Sequence, residues 1–63
     1  MEIKVSGMHC DGCAQAVRRS VSAAAPKARV RVNLAAGRVT VEGEAERKPV
    51  VAAIERAGYT VEG

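Results

Sequence analysis

Two cysteines three positions apart, the only two in the chain, lie in Gly7-Met8-His9-Cys10-Asp11-Gly12-Cys13. Their side chains can converge when the first sits on a loop and the second in the opening turn of a helix. There, free N–H groups and the positive end of the helix dipole favour thiolate over thiol. A thiolate is both a soft metal ligand and a nucleophile, so the local chemistry is a metal site or a redox pair. Structural cysteines usually occupy apolar positions, whereas these are flanked by His9, Asp11 and Gly12. A disulfide staple here would close a very short loop and remove little unfolded-state entropy. A zinc knuckle lacks ligands: Cys10, Cys13 and His9 supply three at most, and adjacent His9 and Cys10 chelate awkwardly. A thiol–disulfide oxidoreductase fits the spacing, but no aromatic or proline flanks the pair, and the chain is short for a thioredoxin-like fold. Soft thiolates select Cu(I), which accepts low coordination. Asp11, between the cysteines, keeps Zn(II), Cd(II) or Hg(II) as the alternative cargo.

Positioning these residues requires an ordered scaffold. Ile3 and Val5 alternate with Glu2, Lys4 and Ser6, the period of a half-buried strand. Gly7 ends it, and Met8 to Gly12 reads as a loop. From Cys13 onward Ala14, Val17, Val21 and Ala24 recur at helical spacing. Asp11 or Gly12 is the expected N-cap, and Pro26 marks the end. Val30, Val32 and Leu34 alternate with Arg29, Arg31 and Asn33. Ala35-Ala36-Gly37 turns the chain, and Val39 and Val41 form the return strand of a hairpin. Gly43 to Glu46 is a polar connector, and Pro49 suits the first turn of a second helix with Val50, Val51, Ala53, Ile54 and Ala57 as its apolar stripe and Gly58 as its C-terminal cap. Tyr59-Thr60-Val61 is the last strand. The order β-α-β-β-α-β packs most simply as an α+β, ferredoxin-like sandwich, with a four-stranded sheet and both helices on one face. Residues 1–63 are expected to form a single domain.

Composition narrows the function further. A chain of 63 residues buries only roughly 60% of its unfolded surface, so chemistry belongs at the surface and not in a deep cleft. Apolar content of 48% is too high for a disordered tail. One aromatic residue offers no stacking platform for single-stranded nucleic acid. No signal peptide is visible and no stretch is apolar enough to span a bilayer, so the expected compartment is the cytoplasm, with no membrane insertion. The net charge of +3 divides into +5 over residues 1–38 and −2 over residues 39–63. The basic half suits an acidic protein partner better than nucleic acid.

Gly7-Met8-His9-Cys10-Asp11-Gly12-Cys13-Ala14 resembles the G-M-x-C-x-x-C-A signature of heavy-metal-associated domains. These are the soluble copper chaperones and the N-terminal domains of metal-transporting P-type ATPases. The likeness covers nearly the whole chain, including Ala57-Gly58-Tyr59 before the last strand, as in bacterial members. It implies a non-enzymatic carrier that holds Cu(I) through Cys10 and Cys13 and passes it to a copper-transporting ATPase or its soluble metal-binding domain. By the same resemblance Met8 props the loop from beneath, and Tyr59 sits beside the site. His9, at the variable position, is a solvated side chain, a third ligand in a dimer or a pH-sensitive influence on Cys10. Arg18 and Arg19 follow the loop by one to two turns and are candidates for partner docking. The resemblance leaves open a monomer or a metal-bridged dimer, and a free carrier or a domain of a longer transporter.

Overall fold

Ile3 and Val5 point to one side of β1 (Glu2–Ser6), and the structure buries both. The remaining elements are α1 (Asp11–Ala24), β2 (Ala28–Asn33), β3 (Arg38–Gly43), α2 (Arg47–Arg56) and β4 (Thr60–Val61). This computed structural model describes residues 1–62. The four strands form one sheet in the order β2-β3-β1-β4, with every neighbouring pair antiparallel. The architecture is the expected ferredoxin-like sandwich.

Register brings the apolar alternations into line. Ile3 and Val32 both stand opposite Val39, Val30 opposite Val41, and Val5 opposite Val61. β-branched side chains suit this pleated, half-buried surface. Against it α1 sets Val17 and Val21, and α2 sets Val50 and Ile54. Met8 and Ala25 complete the buried cluster. Burying one such Val, Ile or Met side chain stabilises the fold by about 1.5–3 kcal/mol. No polar or charged residue is buried among the described residues, so every ionisable group is at the surface. The outer sheet face carries exposed ion pairs, Arg38 to Glu2 at 3.0 Å and Arg31 to Glu42 at 3.9 Å. Each is worth at most about 1 kcal/mol.

Several boundaries differ from the sequence reading. α1 begins at Asp11, and its N-cap is Cys10, not Asp11 or Gly12. A sulfur does here what an oxygen usually does at a cap. The start of α2 is as expected: it begins at Arg47, right after the connector, and Pro49 is its third residue. The first turn has no intrahelical acceptors for its N–H groups, and proline is tolerated throughout it. β2 ends at Asn33, leaving Leu34 in the turn, where the Ala36 N–H donates to Asn33 Oδ1 at 3.1 Å. β4 has only Thr60 and Val61, with Tyr59 in the connection before it. That connection is closed by Gly58, whose φ of +97° is the left-handed conformation expected of a helix C-terminus.

Candidate metal-binding site

The loop between β1 and α1 begins at Gly7. Its φ of +96° turns the chain out of the sheet in a conformation L side chains rarely adopt. A side chain here would also meet Tyr59, whose Cδ1 lies 3.5 Å from the place a Cβ would occupy. Met8 then turns inward, 7% exposed, and joins the core. His9 and Cys10 turn outward and are exposed. The loop is thus anchored at one end by a buried methionine and at the other by the helix cap.

Cys10 is extended, with φ −149° and ψ 166°, the backbone of an N-cap. Its carbonyl accepts the Ala14 N–H at 3.0 Å, and its Sγ accepts the Cys13 N–H at 3.3 Å. Cys13 is the third helical residue, within the first turn where the dipole is felt. This geometry brings the two sulfurs into direct contact, 2.8 Å apart. Both cysteines are free; Cys10 is exposed and Cys13 half-buried. A methyl group on Gly12 would come within 3.9 Å of Cys10 Sγ, so the glycine leaves that flank of the sulfur open.

Hydrogen bonding from Cys10 lowers the Cys13 pKa from its ordinary 9.0 to about 7. The Tyr59 hydroxyl and the backbone at His9 act in the same direction, and desolvation opposes them weakly. Tyr59 responds in the opposite sense: the nearby Cys13 thiolate raises its pKa, so the phenol keeps its proton. The expected result is an alkylation rate at Cys13 that rises with pH about a midpoint near 7. Iodoacetamide kinetics on the reduced protein measure it, and a midpoint at the ordinary 9.0 would contradict this geometry. Linkage gives the sign for stability. The folded value lies below the unfolded one, so the stabilisation is complete above about 9 and is lost as pH falls through about 7.

Of the residues singled out in the sequence, Cys10, Cys13 and Tyr59 converge, and Met8 lies beneath their loop in the core. His9 contributes through its backbone. Arg18 and Arg19 are exposed and line a groove toward β2 together with Arg29. Two features were not legible in the sequence: the capping role of Cys10 and the close approach of the Tyr59 ring to Gly7. The glycine before the motif was the available signal for the second. Among the described residues no cluster of three or more His, Cys, Asp or Glu side chains forms, so the donor set is two soft sulfurs. That set matches a low-coordinate soft ion and falls short of a closed tetrahedral zinc site.

An exposed dithiol at the mouth of a βαββαβ sandwich defines a class, and comparison with known proteins agrees with it. The chain belongs to the heavy-metal-associated domain family, whose model matches residues 2–60. It is 40% identical over 62 residues to the copper chaperone CopZ of Bacillus subtilis, spanning 94% of this chain and 90% of that protein. It is 40% identical over 57 residues to copper-transporting ATPase 2 of Rhizobium meliloti, spanning 87% of this chain but only 7% of the ATPase. Among solved structures, the copper chaperone Atx1 of Synechocystis superposes with a TM-score of 0.89 at 31% identity, over 98% of both chains.

Proposed function

We propose that residues 1–63 form a single metal-carrying module that holds Cu(I) through the thiolates of Cys10 and Cys13 and releases it by ligand exchange. One observation carries this reading: two free sulfurs 2.8 Å apart on an exposed loop, at a helix start that favours the thiolate. Soft sulfur donors select Cu(I), and two of them satisfy it. An ion held at the surface stays open to attack by a thiol of an acceptor, so transfer needs no unfolding and no catalysis. The copper chaperones and the copper-transporting ATPase to which the chain is similar support a P-type ATPase, or its soluble metal-binding domain, as the acceptor. The work is done in the cytoplasm, where thiols stay reduced. Among the described residues no helix is long and apolar enough to cross a membrane.

A second reading is a Zn(II), Cd(II) or Hg(II) carrier built on the same two sulfurs: the exposed Asp11 between them in sequence would favour the harder Zn(II), and the thiolates alone would suit Hg(II). Competition titrations of the reduced protein with Cu(I), Zn(II) and Hg(II) against chelators of known affinity separate the two. The expected outcome is one Cu(I) per chain, bound far more tightly than Zn(II). Preference for Zn(II) would transfer the role to the divalent ions. Two chains sharing one ion through four thiolates would register as a dimer in the same samples. A strongly oxidising dithiol potential would instead favour the oxidoreductase.

A further inference from the structure

We infer that the open edge of β2 is a docking site for an acidic, extended segment of a partner protein, which adds to the sheet as a fifth strand. β2 is an outer strand of the sheet. Hydrogen bonds from Val5 N–H to the Gly37 carbonyl and from Val41 N–H to the Met1 carbonyl show which residues of β3 face β1. The alternation of an antiparallel ladder then turns Arg38, Thr40 and Glu42 toward β2. Their partners Asn33, Arg31 and Arg29 are consequently used inside the sheet. The backbone N–H and C=O groups of Val30 and Val32 point away from it, along the open edge. The Ala28 N–H, at the start of the strand, is already taken by the Ala25 carbonyl at 3.0 Å.

The surroundings of that edge are cationic. A groove between α1 and β2 is lined by Arg18, Arg19, Ser22, Ala23, Arg29 and Val30, three cations and no acid. The groove continues past Val32 toward Asp11 at the cysteine end. Glu42 stands opposite Arg29 in the β2–β3 register but makes its ion pair with Arg31, at 3.9 Å, so Arg29 and not Arg31 is counted toward the groove. In an added strand, side chains on the helix side would face Arg18 and Arg19, and those on the opposite side would face Arg29. Carboxylates fit both sides.

Charge also excludes the simplest alternative occupant. A second copy of β2 paired antiparallel about Val30 would set Arg29 opposite the copy's Arg31, and one paired about Arg31 would set two Arg31 side chains face to face; the exposed 3.9 Å contact with Glu42 screens Arg31 only in part, and like charges directly opposite destabilise a pair. The other sheet edge, β4, has only two strand residues and is followed by Glu62. An acidic strand therefore has one suitable edge, and the inference does not depend on which metal the cysteines carry.

The test is an NMR titration of the reduced protein at low salt with two synthetic peptides. One mixes glutamate with valine and threonine. The other has the same charge but proline at alternate positions, which removes the N–H groups a strand needs. Neither contains cysteine, so failure here leaves the metal reading untouched. Shifts at Val30 and Val32, with slowed exchange of their amides, are expected with the first peptide. The proline peptide should bind about tenfold more weakly, because it retains only the charge contacts. Arg18→Glu and Arg29→Glu should each weaken the first peptide by about tenfold, while Lys4→Glu, elsewhere on the sheet, should change it little. No binding at low salt would overturn the inference, as would equal affinity for both peptides. So would shifts spread equally to Arg47, Lys48 and Arg56, or indifference to both reversals.

Discussion

Cys13→Ser loses Cu(I) affinity by at least about a thousandfold, roughly 4 kcal/mol, because a hard hydroxyl replaces one of two soft thiolates. The companion variant separates binding from folding. Cys10 caps α1, its Sγ accepting the Cys13 N–H at 3.3 Å. Serine is among the preferred N-cap residues, so Cys10→Ser keeps the helix and its unfolding midpoint while losing the metal to a similar degree. Chelator competition reads the affinity, and thermal unfolding of the metal-free proteins reads the fold. If Cys13→Ser held Cu(I) within about tenfold of the wild type, the two-thiolate site would be wrong. If Cys10→Ser melted far below the wild type, the sulfur would have a structural role beyond the cap.

Met8→Ala destabilises the fold by roughly 2–5 kcal/mol, the range for truncating a buried methionine. Met8 is only 7% exposed and shares the core with Ile3, Val17 and Ile54. For a domain of this size about 1 kcal/mol moves Tm by roughly 4–8 °C, so the shift is large and can unfold the chain at moderate temperature. Copper affinity measured on the folded fraction should change little, since the thioether is packed in the core. Denaturant titration paired with chelator competition decides the matter. Unchanged stability with collapsed affinity would make Met8 a third ligand.

Much of this molecule is legible locally. The alternation of Ile3 with Val5 and of Val39 with Val41, and the helical spacing of Val17 with Val21, each use neighbours within four positions. Those short-range patterns specify which face each element buries. The Cys-x-x-Cys spacing is local in the same way, so the convergence of two thiols at a helix start is legible without any packing. Gly58 followed the rule for helix ends, and its positive φ agrees. The N-cap was misplaced for a local reason too. Cysteine is not among the usual capping residues, so propensity favoured Asp11 or Gly12 over a sulfur.

By itself, then, the sequence determined the element order, the aliphatic core and the pair of thiols that face the surface, because periodicity and spacing act within a turn or a strand. What the tertiary structure alone decided are the relations between distant residues. Tyr59 is brought against Gly7 and Cys13 by the β1–β4 pairing. Arg29 joins Arg18 and Arg19 across a groove because β2 packs beside α1 at the sheet edge. Those relations depend on register and strand order, which arise from the packing of the whole core and leave no trace in any short window of residues.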